Sequence, residues 1–239
     1  MNVLSLLALA ALQQSPYLPP DPKAKQPKPV PPPPGAIVLF SGKTEEMSAN
    51  WRKFGSTTDA DWGVVKGAMV SQKGNIVSKQ EFTDFLLHVE FKVPYVPEGK
   101  GQGRGNSGVG LQSWYEIQVL DSSGLKIPGT GDCGAVYNQA APLVNACKPP
   151  LSWQTYDIIF RAPRFVDGKL TEKARVTVLQ NGILVQNNTE IQGATGIRGD
   201  RPIDKPGPIY LQDHHNPTEF RQIWIVPLPT ESSKSYDPK

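Results

Sequence analysis

Cysteine and histidine are scarce in this 239-residue chain. Two cysteines, Cys133 and Cys147, exclude a four-thiolate zinc centre and a disulfide-dense scaffold. Three histidines, His88, His214 and His215, leave little material for a histidine-rich metal centre. Charge of one sign is also lacking. The 25 basic and 22 acidic residues leave a net +3 without clustering, which argues against a dedicated nucleic-acid surface. No hydrophobic run is long enough to span a bilayer. No segment of a dozen residues shows helical periodicity, and 24 prolines and 22 glycines, 46 of 239 residues, exclude a helical bundle. What remains, 38% apolar and 20% charged, is enough to build one sizeable domain.

The one long apolar stretch, Val3 to Leu12, is followed by Gln13, Gln14 and Ser15. Its length and the A-x-A pattern at Ala8-Leu9-Ala10 predict a secretory signal over residues 1–15, although the usual basic residues before it are missing. The expected location is therefore secreted or periplasmic, with the segment either cleaved or kept as a cell-envelope tether. From Pro16 to Pro34, ten of nineteen residues are proline. Proline sets φ and removes backbone donors, so residues 16–34 read as an extended polyproline-type linker holding the domain at a distance. The folded domain is expected over 35–229, with a polar tail at 230–239 and no internal repeat.

Within 35–229 the pattern is β. Phe85, Leu87, Val89, Phe91 and Val93 alternate with Leu86, His88, Glu90 and Lys92, the period of a half-buried strand. AIVLF, WGVV, GAMVS, NIVS, SGVGLQ, YEIQVL, TYDIIF, ARVTVLQ, ILVQ, PIYLQ and RQIWIV are further strand candidates. Asn181-Gly182 and Asp167-Gly168 mark tight turns, because both residues of a type I′ hairpin take positive φ. So many short strands without helices predict an all-β, antiparallel two-sheet sandwich of jelly-roll type.

Several clusters carry chemistry. Gly103-Arg104-Gly105-Asn106-Ser107-Gly108 satisfies GxGxxG, but it leads into strands instead of a helix, so it reads as a flexible loop and not a dinucleotide site. In Tyr115-Glu116-Ile117-Gln118-Val119-Leu120-Asp121, alternation puts Glu116 and Gln118 on one face. A bulge after Gln118 would bring Asp121 to that face and pair two carboxylates; otherwise Asp121 caps a turn. Tyr210-Leu211-Gln212-Asp213-His214-His215-Asn216 gathers two histidines beside an aspartate, with Tyr210, Gln212 and His214 on one face. Imidazole there is a natural proton shuttle, and a polar turn is the plainer reading. His88 reads as structural. Trp114, Tyr115, Tyr137, Trp153, Tyr156 and Tyr210 lie among polar residues and offer stacking faces for sugar rings as well as core packing. Cys133 and Cys147 enclose about 15 residues; in an exported protein a disulfide there would contribute about 3 kcal/mol.

Taken in order, LFSGKT, WGVVKGAMV, FTDFLLHVEFKV, NSGVGLQ, YEIQVLD, GAVYNQ, WQTYDIIF, RVTVLQNGILVQ, GPIYLQDH and FRQIWIVPL resemble the 3-keto-disaccharide hydrolase family, formerly domain of unknown function 1080. The resemblance runs from about Ile37 to Leu228. It implies a concanavalin-A-like sandwich, related to the endo-β-glucanases that carry an E-x-D-x-x-E strand. Here Gln118 stands for the central acid and Asp121 for the final glutamate, which departs from a double-displacement mechanism. The implied activity is cleavage of 3-keto-glycosides: a keto group at C3 acidifies the C2 proton, the glycosidic oxygen leaves C1 by elimination, and water adds back. Such a site needs a base, an acid and stabilisation of an enolate oxygen. The resemblance then suggests Glu116 and His214 as the acid–base pair and Gln118, Gln212 and Arg221 as donors. Asn106 and Asp121 become substrate contacts, and Tyr115, Tyr137 and Trp153 stacking walls. No cofactor is called for. A divalent metal held by Glu116 and His214, polarising the ketone, is an alternative that no ligand spacing demands. The expected partner is a carbohydrate, with no nucleic acid and no membrane span. An ordinary retaining β-glucanase and a non-catalytic carbohydrate-binding module are the other readings of the same fold.

Overall fold

In a computed structural model that describes residues 16–199 and 201–230, the alternating segments become strands where alternation places them. In chain order these are β1 (Ile37–Phe40), a short helix α1 (Thr44–Asn50), β2 (Trp51–Lys53), β3 (Gly63–Val65), β4 (Ala68–Val70), β5 (Ile76–Phe82), β6 (Phe85–Lys92), β7 (Ser107–Leu111) and β8 (Tyr115–Val119). There follow β9 (Gln154–Arg161), β10 (Arg164–Val166), β11 (Lys169–Glu172), β12 (Arg175–Gln180), β13 (Ile183–Glu190), β14 (Gly207–Leu211) and β15 (Glu219–Pro227). All pairings are antiparallel. An eight-stranded sheet runs β13-β12-β9-β6-β15-β4-β3 with β1 on β15, and a five-stranded sheet runs β2-β5-β14-β7-β8. The pair β10-β11 is a separate ribbon. The fold is the all-β sandwich that the alternation predicts.

The core lies between the two larger sheets. From the eight-stranded sheet come Leu87, Val89, Phe91, Ile158 and Phe160; from the five-stranded sheet come Val109, Leu111, Ile117, Val119, Ile209 and Leu211, all without exposure. Each such side chain contributes about 1.5–3 kcal/mol on leaving water. The same alternation turns Glu116, Gln118 and Gln212 away from the core. Both predicted hairpins are present: Asn181 and Gly182 take φ of 54° and 78°, Asp167 and Gly168 take 51° and 73°. The helix α1 and strands β2, β10 and β11 were not foreseen. α1 is seven residues with one buried anchor, Met47, too short to show a period. It is started by Glu46, whose carboxylate accepts from the Ser41 backbone and hydroxyl at 2.6 and 2.7 Å.

Two expectations need correction. Residues 16–34 are extended, as their prolines require, yet they are no free spacer. Leu18 bonds Ser123 backbone to backbone at 3.1 Å, Gln26 accepts from the Trp153 N–H at 2.9 Å, and the Val30 N–H donates to Glu90 at 2.6 Å. The segment is a strap lying on the domain. Cys133 and Cys147 are free thiols, not a disulfide. The two thiols are in contact with each other; in addition Cys133 Sγ meets the Tyr156 hydroxyl at 3.2 Å and the Gln180 amide at 3.3 Å, and the Cys147 thiol donates to the Leu120 carbonyl at 3.5 Å. The expected signal segment and all but Thr230 of the expected tail lie outside the described residues. No helix among the described residues is long and apolar enough to cross a membrane.

Candidate active site

The register of the five-stranded sheet assembles the site on its outer face. Gly108 pairs with Gln118 and Gly110 with Glu116, while Tyr210 pairs with Gly110 on the other side. Both glycines are needed because their neighbours lie over them. A Cβ at Gly108 would come within 2.3 Å of Glu116 Oε1, and one at Gly110 within 2.8 Å of Tyr210 and Ile197. The alternating glycines of SGVGL thus open floor space for the carboxyl group and the phenol.

Three connections bring walls to this floor. The Gln118 N–H donates to the Ala135 carbonyl and the Tyr137 N–H to the Glu116 carbonyl, both at 3.0 Å, which hangs the 134–137 segment beside β8. The Glu116 N–H donates to Thr195 Oγ1 at 3.0 Å, placing Gly196 against the Tyr137 ring. Beyond β14, the Asp213 carboxylate takes the N–H groups of Gly74 and His215, and the Asn216 amide donates to the His214 carbonyl at 2.9 Å, so a pinned turn presents His214 at the mouth. The result is a cavity of about 210 Å³ in which Glu116, Gln118, Gln212 and His214 converge with Gln102, Asn106, Tyr137 and Gly196.

An amide network orients its polar wall. Asn106 Nδ2 donates to the Gln102 carbonyl at 2.9 Å; Gln118 Nε2 donates to Gln102 Oε1 at 2.8 Å; Gln102 Nε2 donates to the Gly131 carbonyl at 2.7 Å. With both nitrogens engaged, Asn106 Oδ1 and Gln118 Oε1 remain buried acceptors without a partner. Gln118, expected as a donor, is therefore an acceptor. Buried acceptors left open on a cavity wall call for a ligand that brings hydrogen-bond donors.

Glu116 is 3% exposed. Among the described residues no cation pairs with its carboxyl, and burial pushes its pKa from 4.5 to about 7. A carboxyl that titrates near neutrality can take and return a proton. Burial, and then the neighbouring Glu116 charge, raise the Tyr210 phenol, which stays protonated. Among the described residues no three His, Cys, Asp or Glu side chains group as a metal site. Glu116 and His214 are the acidic and imidazole groups at this cavity.

The structure separates the other candidates. Asp121 does not reach the Glu116 face, because the β7–β8 register continues without a bulge. Its carboxylate is fully buried, ion-paired with Arg104 and bonded to the Ser123 hydroxyl at 2.8 Å. Tyr115 alternates inward and packs on Phe160, with ring centroids 5.6 Å apart. Trp153 and Arg221 lie on the outer face of the other sheet, where the Arg221 guanidinium sits 4.0 Å over the indole and bonds Glu90 at 2.6 Å. His88 is structural as expected, bonded to Asp157 at 2.6 Å. The GxGxxG segment is no dinucleotide site, but neither is it loose: Arg104 and Asn106 are 3% and 1% exposed. Gln102 and Gly196 were missed. Gln102 sits in a glycine-rich stretch with no period to give it a direction, and Gly196 has no side chain to signal a role.

The profile of a family described as the 3-keto-α-glucoside-1,2-lyase-like domain matches residues 35–226. Among solved structures, a Parabacteroides distasonis protein named as a candidate glycosyl hydrolase is similar at 39% identity, with TM-score 0.73 over 86% of this chain and 95% of that one. Two further Parabacteroides distasonis proteins so named share the fold: one at 21% identity and TM-score 0.57, covering 82% of this chain and 94% of its own, the other at 22% and 0.53, covering 81% and 99%. No curated protein matches the chain.

Proposed function

The chain belongs to the 3-keto-α-glucoside-1,2-lyase-like family, and from that premise we propose that it cleaves the glycosidic bond of 3-keto-glycosides by elimination followed by addition of water. The observation that carries the proposal is the single buried carboxyl of the cavity, Glu116, with its pKa raised to about 7. The 39% identical relative, named as a candidate glycosyl hydrolase, supports a carbohydrate-active enzyme.

In the proposed mechanism the Glu116 carboxylate takes the C2 proton. The C2–H electron pair moves toward the C3 ketone, and the developing charge falls on the ketone oxygen. Donors there are the Gln212 amide and the Tyr137 hydroxyl, the role that preorganised donors play at developing oxyanions. The C1–O bond then breaks, the C1–C2 double bond forms, and His214 protonates the departing oxygen. Water then adds to C1, giving one proton to His214 as its oxygen bonds, while Glu116 returns its proton to C2, which restores both groups. Asn106 Oδ1 and Gln118 Oε1, acceptors only, receive sugar hydroxyls and so keep the ketone oxygen off that wall.

A retaining glucanase needs a second carboxyl about 5–5.5 Å from the first, and with Asp121 tied to Arg104 the cavity offers one. The test is incubation with a 3-keto-glucoside and with its unoxidised parent. Release of the leaving group from the keto form alone is expected. Release from both, or binding without turnover, would overturn the proposal in favour of an ordinary glycosidase or a binding module.

A further inference from the structure

Residues 26–30 of the strap cross the outer face of the eight-stranded sheet, opposite the cavity, and their contacts are specific ones. The Gln26 side chain behaves like a strand backbone: Nε2 donates to the Leu151 carbonyl at 3.4 Å and Oε1 accepts from the Trp153 N–H at 2.9 Å. The Pro27 carbonyl accepts from Arg221 Nη2 at 3.0 Å. Val30 is the one residue from Pro29 to Pro34 with a backbone N–H. That donor meets Glu90 Oε1 at 2.6 Å, and the Val30 carbonyl accepts from the Trp224 indole N–H at 3.3 Å.

The receiving surface is braced by contacts of its own. Glu90 is fully buried and held by Arg221, and the Arg221 guanidinium packs on Trp153. Trp224 stacks on His88 with centroids 4.7 Å apart. These residues come from the approach to β9, from β6 and from β15, three neighbours in the sheet. Two strand spacings are about 10 Å. A polyproline helix rises about 3.1 Å per residue, so Gln26 to Val30 covers about 12 Å. The segment matches the width of the surface it crosses.

Aromatic walls, an indole N–H aimed at a carbonyl and a pre-extended ligand are the chemistry by which proline-rich segments are recognised. We infer that the outer face of the eight-stranded sheet is a recognition groove for an extended proline-rich peptide, and that its occupant is this chain's own Gln26–Val30 segment. Groove and segment form a receptor–peptide pair, so the groove accepts the same sequence in trans when the copy in cis is disabled.

The test uses the full-length chain carrying Gln26→Gly, Pro27→Ser, Lys28→Gly, Pro29→Ser and Val30→Gly together. The probe is a fluorescein-labelled peptide of residues 20–34, read by anisotropy. Saturable one-to-one binding to the variant is expected, at least tenfold tighter than to the wild-type chain, whose groove is occupied. Adding Trp224→Phe, which removes one hydrogen bond, should weaken it about fivefold. A folded variant that ignores the peptide, or one that binds a shuffled peptide equally well, overturns the inference. Should the fivefold-substituted chain fail to fold, Val30→Pro in the wild-type chain decides: proline keeps the extended backbone and deletes only the N–H donated to Glu90. Tryptic cleavage after Lys25 should then accelerate at least tenfold, and an unchanged rate overturns the inference.

Discussion

Replacing Glu116 by glutamine separates the charge of this carboxyl from its shape. The folded protein raises its pKa from 4.5 to about 7 by burial. Between those two pH values the folded chain holds a proton that the unfolded chain has lost, so folding stability falls as pH rises through the window and levels off above it. At about 1.4 kcal/mol per pH unit, the raised pKa corresponds to about 3 kcal/mol. Glu116→Gln keeps the size of the protonated acid and cannot ionise. Its stability relative to wild type should be near zero at pH 4.5 and climb to about 3 kcal/mol in its favour at pH 8. Urea unfolding at four or five pH values measures this directly. The two curves running parallel across the window would refute the reasoning, since Glu116 would then not be a buried, unpaired acid. The same variant should lose about a hundredfold or more in kcat on a 3-keto-glucoside, giving a more stable and nearly inactive protein at pH 8.

Other expectations follow from the same geometry. In the wild-type enzyme, kcat/KM should rise with pH through an apparent pKa near 7, because Glu116 acts as a base only when ionised; a pH–rate profile flat between pH 5 and 8 would reject that role. His214→Ala should lower turnover about a hundredfold while the unfolding midpoint, measured by circular dichroism, barely moves, as His214 is exposed. Gly108→Ala brings a methyl group within 2.3 Å of Glu116 Oε1 and must displace it; steady-state kinetics should show at least a tenfold loss in kcat, and wild-type rates would mean that the carboxyl is free to move. Arg104→Ala leaves the Asp121 carboxylate buried and unpaired, and chemical denaturation should show about 3–5 kcal/mol of lost stability, largely recovered by adding Asp121→Asn. A thiol assay in denaturant should count two free cysteines per chain, as in the structure; a count of zero would restore the disulfide.

The strands were legible because a sandwich buries one face of each strand, and burial of one face writes a period of two into the residues. Phe85 to Val93 shows it across a full strand, and the two turn dipeptides survive because positive φ admits few residue types. The elements that were missed have no such period: α1 holds one apolar anchor, and β10 and β11 are a short exposed ribbon. Glu116, Gln118 and Gln212 were legible for the same reason as the strands, since polar side chains at alternate positions of an otherwise buried strand must face away from the core. Asp121 was misplaced because a strand end carries no signal for whether the chain bulges or runs straight. Trp153 and Arg221 were misplaced because alternation reports inside or outside, and this fold has two outsides.

That distinction divides what the residues alone determined from what the folded molecule decided. Alternation, turn chemistry and composition determine the sheet content, the core and the outward direction of Glu116, because these are properties of a chain and its neighbours along it. Which outward groups meet is a question of which strands lie side by side. The pairing of β8 with β7 and of β7 with β14 brings Glu116, Gln118 and Gln212 around one hollow, while β15, next to β6, carries Arg221 to the opposite face. The strap is the same lesson: its prolines dictate an extended backbone, but only the buried Glu90, the Trp153 backbone N–H and the Trp224 indole, far apart in sequence and side by side in the sheet, give that backbone a place to lie.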